Sequence, residues 1–449
     1  MTQQGVRWSA EQVLALAPDA ASRKAGSKLG AAGPWSEAGS SDEGTVWGLC
    51  KGSGSRPYQT VVDLADGAGP AYKCSCPSRK FPCKHALGLL LLWAGDGAAV
   101  PPGSPPDWAQ EWIDGRRKRA EEKRAEGGSP SRTADPEAAR RRAERRAEKV
   151  TAGATELEQR LSDLLRGGLA GAEQAGYGLW EETAARMVDA QATGLAARVR
   201  ELGAIPASGP GWPVRLLEEC ALLHLLDQGW LNRDRLPEDL AATVRSRIGL
   251  PASPQDPAIR DRWLVLAQYD TADSRLTTRR IWLHGTESAR TALLLSYGAA
   301  GRAPELALPV GLALEAELSL YPGAGQLRAA LGERFGAPVR TPVRPPGTTT
   351  AEATARYGEA LRGDPWLDSV PVTLERVIPT PDGDSWQLAD ADADTALPLT
   401  PTARSRPGLW KLVALSGGAP VTVFGECGHR GFTPLAAWPQ GDGEAAPLC

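Results

Sequence analysis

Cys74-Ser75-Cys76 and, after a six-residue loop, Cys83-Lys84-His85 gather three thiols and an imidazole within twelve residues. Residues i and i+2 of an extended strand face one side, so Cys74 and Cys76 can approach the same ion. Cys83 and His85 open an apolar run, Ala86 to Ala94, that reads as a helix. Free N–H groups and the dipole at a helix start favour thiolate. Pro77 and Pro82 stiffen the loop between the two pairs and lower the entropy lost on ligation. Three thiolates and a neutral imidazole around Zn²⁺ carry a net charge of about −1. Four protein ligands leave no open position for water or substrate, so the site is expected to be structural. Lys73, Arg79, Lys80 and Lys84 surround it and are the candidate contacts for a nucleic acid or a protein partner.

The elements that must position these ligands form a first region, residues 1–95, with its core at about 45–94. Thr45 to Lys51, Tyr58 to Leu64 and Ala71 to Cys74 read as short strands separated by Gly/Pro-rich turns. They make a meander that delivers Cys74 and Cys76, with a helix leading away from His85. Upstream, Ser9 is a candidate N-cap for a short helix through Val13, Leu14 and Leu16. Residues 96–154 read as a Pro/Gly-rich and then charged linker, partly helical. Between Asp114 and Lys149 thirteen Lys/Arg face eight Asp/Glu, interrupted by Gly127-Gly128-Ser129-Pro130. Interleaved signs favour a solvated helix with i,i+4 pairs, and the charged core lacks aromatics for base stacking. The spacing of Leu157, Leu161 and Leu164, of Trp180, Met187 and Leu195, and of Leu216 through Leu226 predicts a helical domain over 155–250. Residues 257–449 read as β-rich, with two lobes split near 338–356, and Leu409 to Ala414 is among the strand-like runs. No fixed-period repeat is visible. The expected class is α+β.

The net charge of −3 over 449 residues excludes a protein that is basic overall. The chain opens on no signal-like segment, and its longest apolar run is far shorter than the roughly 18 residues of a bilayer span. A reduced, cytoplasmic protein is expected, in which clustered cysteines point to metal. Cys427 and His429 repeat the Cys-x-His spacing; an incidental pair, a half-site completed by Cys449 and a reactive dyad are all open readings. Cys50, Cys220 and His224 read as core residues or satisfied neighbours. Arg186, Asp189 and Gln191 form a polar group on a helix. No nucleotide-binding loop, nucleophile elbow, His-Glu-x-x-His or paired-carboxylate signature occurs, so a non-enzymatic protein is expected.

Cys74-x-Cys76-x6-Cys83-x-His85, followed by Ala86-Leu87-Gly88-Leu89, resembles the SWIM-type zinc finger. Trp47-Gly48, Gly52-Ser53-Gly54, Pro57-Tyr58 and Cys76-Pro77-Ser78-Arg79-Lys80 resemble bacterial SWIM zinc finger family proteins. So do Ala184 to Gln191 and Gly194-Leu195-Ala196. The resemblance implies zinc binding and a binding role towards protein or DNA. It also implies MoxR-type AAA+ ATPases and von Willebrand factor A domain proteins as partners, since bacterial members are often encoded beside them. Cys427 stands where a Trp of a Gly-Glu-Trp phrase is expected. The expected function is a zinc-stabilised interaction protein in a multiprotein assembly. The alternative is DNA or RNA binding through the basic residues of the finger and the 116–149 stretch.

Overall fold

A computed structural model describes residues 8–449 apart from 15, 19, 43, 53, 55, 65–69, 79, 81, 96, 129–135, 256, 273–275, 300–303, 305, 326, 337, 342 and 442. The first lobe starts with helices α1 (Ala10–Leu14) and α2 (Ala20–Ser27). Strands β1 (Trp35–Ser40), β2 (Thr45–Cys50), β3 (Tyr58–Asp63) and β4 (Ala71–Cys74) follow as an antiparallel meander, and α3 (Lys84–Gly95) closes the lobe. Ser9 and Gln12 form reciprocal capping bonds at the start of α1. Helix α3 is Leu-rich with no polar face beyond its first turn, and it is buried nearly all round, as such a helix must be. One side rests on the meander through Val46 and Val62, the other on α1 through Val13 and on α2. The close approach of α2 to α3 uses Gly26, where a Cβ would stand 2.8 Å from that of Leu87, and a Cβ at Gly88 would stand 2.5 Å from that of Leu29, just past α2. The opposite face of the meander, Trp47 and Val61, is covered by Trp108, Ala109 and Trp112 of α4 (Asp107–Gly128).

The helical middle consists of α5 (Pro136–Gly167), α6 (Ala170–Asp189), α7 (Thr193–Leu202), α8 (Trp212–Leu231) and α9 (Glu238–Ile248). Val150, Leu157, Met187, Leu195, Val199, Leu216, Leu223 and Trp230 fill its core. A Cβ at Gly194 would lie 1.9 Å from the carbonyl oxygen of Arg247, so only glycine allows α7 to meet α9 this closely.

The C-terminal half contains two six-stranded sheets. In the first, β5 (Ile259–Ala272), β6 (Leu276–Gly285), β7 (Thr291–Ala299), β8 (Leu312–Leu320) and β9 (Arg328–Arg334) close on themselves. β5 pairs with β6 and β8, β7 runs parallel to β9, and β9 returns to β8. β10 (Val339–Arg340) extends β8. Helix α10 (Thr350–Gly363) leads to the second sheet: β11 (Ser369–Asp382), β12 (Ser385–Asp390), β13 (Ala396–Pro398), helices α11 (Pro401–Arg404) and α12 (Gly408–Ser416), then β14 (Val421–Gly428), β15 (Gly431–Trp438) and β16 (Ala446–Pro447). The same order recurs, with β11 between β12 and β14 and a parallel bridge, Leu399 to Phe432, joining the end of β13 to β15. Each is the strand order 1-2-3-5-4 of an OB-type barrel. Both first strands are 14 residues long. Each shifts register midway, at Val265/Ala267 and at Leu374/Val377. Such a bulge bends one strand enough to serve two neighbours.

The barrels join head to tail. Leu264, Leu266, Trp282 and Leu293, on the outer face of β5–β6–β7, pack against Phe424, Leu435 and Trp438 of β14–β15. At the centre Glu426 accepts from Tyr269 Oη at 2.7 Å and Trp282 Nε1 at 2.9 Å. Glu426→Ala leaves both donors without an acceptor, at about 1–3 kcal/mol each. The expected result is a lower urea midpoint that Glu426→Gln, which keeps the acceptor oxygen, largely restores.

Several sequence expectations need correction. Leu409 to Ala414 is helix α12 rather than strand, with Leu409 and Leu412 turned inward and a left-handed Gly417 ending it. The supposed loop at 338–356 contains the start of α10, fixed by a Thr349/Glu352 capping box. The linker is anchored at both ends. Ser40 N donates to Pro101 O and Gly103 N to Ser40 O, at 2.9 and 2.8 Å. At its far end Val150 and Ala154 lie in the bundle core, because α5 runs unbroken across residue 154. The Gly127-Gly128-Ser129-Pro130 break falls at the end of α4, with residues 129 and 130 outside the described ones. Without any fixed-period repeat, the two barrels still share one topology. Their third-to-fourth connections differ in content, which hides any sequence period.

Candidate metal centre

Cys74 ends β4, Cys76 lies two residues beyond it, and Cys83 and His85 flank the first residue of α3. Their four ligand atoms all lie within 4.8 Å of one another. Cys74 Sγ and His85 Nδ1 are 3.7 Å apart. Zn–S of about 2.3 Å and Zn–N of about 2.0–2.1 Å in a tetrahedron require an S–N edge of about 3.6 Å. Three soft thiols and one imidazole, with no carboxylate among them, are a donor set suited to zinc.

The meander register explains the approach of the ligands. Cys74 sits opposite Thr60, and Thr60 opposite Gly48, on the face that meets α3. Thr60 Oγ1 lies 3.3 Å from Cys74 Sγ. The Tyr58 ring lies against His85 with centroids 4.8 Å apart, fixing the imidazole plane as ligand-orienting contacts do. Hydrogen bonds from Cys83 foremost, then His85 and Thr60, hold the Cys74 thiol down to about 4. Cys83, bonded to that thiolate and buried, is raised, and burial raises Cys76. One thiolate is thus already favoured, and metal binding displaces the remaining protons.

Thr60 and Tyr58 were not named as site residues from the sequence, although strand alternation puts both on the Cys74 side. Of the candidate contact residues, Lys73, Lys80 and Lys84 are exposed. Lys80 and Lys84 border a cavity of about 530 Å³ beside Cys76 and His85, whereas Lys73 pairs with Val61 on the other face of the sheet. Arg79 lies outside the described residues. Cys50 is buried on β2 and is not among the four clustered donors.

Other nominated groups are held in local contacts. Cys427 is buried in the second barrel. His429 Nδ1 meets Tyr357 Oη at 3.3 Å, and Cys449 Sγ contacts the carbonyl oxygens of Gln268 and Leu435. Among the described residues these three form no metal cluster. Arg186 pairs with Glu156 and Glu182, and Gln191 takes the left-handed turn between α6 and α7 at φ 62°. Of the four-residue-spaced pair on α8, Cys220 is core, but His224 is exposed and meets Glu158 of α5 at 2.7 Å. Beside them Asp227 is completely buried with neither carboxylate oxygen hydrogen-bonded to a donor group. Burial first, and then Glu158, push its carboxyl up to about 9.

A closed Cys₃His site on a meander and one helix defines a structural zinc finger, here followed by a helical bundle. Residues 58–94 match the family model of the SWIM zinc finger, and residues 145–248 match that of the SWIM-associated four-helix bundle domain. The chain therefore carries a zinc-binding SWIM finger and the SWIM-associated bundle, and Cys74, Cys76, Cys83 and His85 form a cluster able to hold the metal. Neither the curated proteins nor the solved structures gave a match to it. Among the described residues no helix is long and apolar enough to cross a membrane.

Proposed function

We propose that this chain is a non-catalytic interaction protein whose zinc-held lobe presents a docking surface to other proteins. The observation that carries the reading is the closed donor set: four side chains fill the coordination shell and leave the metal nothing but architecture to supply. Nucleic-acid binding, the second reading, draws on Lys80 and Lys84 beside the site. It is weakened at the first barrel, where the strand face that OB barrels use for oligonucleotides is filled by the second barrel. In the basic stretch, Arg140 and Arg141 pair with Glu144 and Glu137. MoxR-type ATPases and von Willebrand factor A domain proteins are the first partners to try, on family resemblance alone. Affinity copurification of the zinc-loaded chain is expected to return a stoichiometric protein partner. Recovery of the bare chain under many conditions, together with a salt-sensitive shift of labelled DNA or RNA, would reverse the two readings.

A further inference from the structure

We infer that the cavity beside the zinc site is a receptor for an acidic, partly apolar segment of a partner protein. This rests on the interaction reading above and gives it a place and a chemistry. The cavity, about 530 Å³, lies between the start of α3, the β2–β3 connection, the loop joining the ligand pairs, and α2. Lys51, Lys80 and Lys84 reach it from three different segments, and among the described residues no Asp or Glu lines it. In a chain whose net charge is −3, this is a local concentration of one sign that selects an acidic partner. One wall is apolar and shallow, formed by Ala21, Ala25 and Leu29, and accepts a side chain of leucine or valine size.

The geometry favours a peptide over a nucleic acid. Among the described lining residues the ring beside the ligand His85 is that of Tyr58, which lies against His85 and is occupied in holding it rather than in stacking a base. The three lysines border a single pocket that also has the apolar wall of Ala21, Ala25 and Leu29, a combination suited to an acidic segment that carries an apolar side chain. The rim is also tied to the metal: Lys84 stands between ligands Cys83 and His85, and Lys80 lies in the loop between Cys76 and Cys83. Occupancy by zinc therefore sets the spacing of the cations, which makes partner binding metal-dependent.

The test is fluorescence anisotropy on the zinc-loaded full chain at 150 mM salt. The probes are a labelled Glu-Glu-Leu-Glu-Glu-Val-Glu peptide and a labelled oligothymidylate of similar charge. The expected result is saturable peptide binding that falls at least tenfold in Lys51→Glu/Lys84→Glu and persists in Lys51→Arg/Lys84→Arg. Both variants should retain one equivalent of zinc and the parent melting temperature. Absence of peptide binding, binding indifferent to charge reversal, or tighter oligothymidylate binding with the same lysine dependence would overturn the assignment. If the charge-reversed chain still captures its protein partner from cells, the pocket is wrong and the interaction reading survives. If the parent chain binds the peptide but captures no protein partner, the interaction reading fails on its own account.

Discussion

Chelation of the zinc, or Cys83→Ser, is expected to unfold the first lobe while leaving the bundle folded. Structural zinc supplies on the order of 10–16 kcal/mol to finger peptides, more than the whole stability of most domains. Here the metal joins the end of β4 to the start of α3, and α3 is the element around which α1, α2 and the meander are packed. Without it, a Leu-rich helix loses its fixed entry point and three thiols sit in a half-buried cluster. The lobe also abuts the first barrel through Ala307 and Leu312 and through the Gln12 bond to the Val310 carbonyl. Partial exposure of that barrel flank should accompany the loss. Amide exchange on the chelated chain is expected to show protection lost across residues 35–95 and retained across 145–248. Lys84→Ala, which changes the residue between two ligands but no ligand, should behave as the parent. Unchanged exchange of the lobe after verified removal of the metal would refute the structural role.

Asp227→Asn is expected to stabilise the bundle, increasingly so as pH rises. An unfolded aspartate titrates near 3.9, whereas the folded Asp227 carboxyl is held up to about 9, by burial first and then by Glu158. The native state therefore binds a proton that the unfolded state releases between those values. Stability from this group is complete below about pH 4 and falls as pH rises towards 9, by up to about 1.4 kcal/mol per unit. The surrounding groups fit a shared proton: Glu158 already accepts from His224 Nδ1 and Gln228 Nε2, and a protonated Asp227 becomes a further donor to it. An asparagine amide donates there permanently. At pH 8 the variant should gain on the order of 3 kcal/mol, and its melting temperature should lose most of the parent's decline between pH 5 and 8.5. Parallel pH profiles for the two proteins would show that Asp227 holds no such proton.

The metal site was legible in the sequence because its signals are local. A Cys-x-Cys on a strand, two prolines and a Cys-x-His at a helix start each carry their geometry within a few residues. The helical middle was legible from its leucine spacing for the same reason. What stayed hidden depends on distant partners. Asp227 reads as one polar residue on an apolar helix, and only the packing of α5 on α8 sets it against Glu158. Leu409 to Ala414 satisfies both a strand and a helix pattern, and its place across the end of a barrel decides between them. The start of α10 is a different case. Thr349-x-x-Glu352 is a readable capping signature that lay within a Pro/Thr-rich stretch assigned to loop. The barrel repeat was invisible because shared topology, not shared residues, defines it.

The docking of the first lobe on Val310 and Leu312 has a consequence for biosynthesis. The ribosome completes the lobe about two hundred residues before its barrel contact emerges, an interval on the order of ten to forty seconds at usual elongation rates. Throughout that time the flank of the lobe that will meet Ala307 and Leu312 lies uncovered, and exposed apolar surface makes nascent chains prone to aggregate. Early capture of zinc gives the nascent lobe a compact form of its own while it waits. Cells starved of zinc during translation should therefore accumulate this protein in inclusion bodies, whereas metal withdrawn after synthesis should unfold only the lobe of a chain whose bundle has already formed.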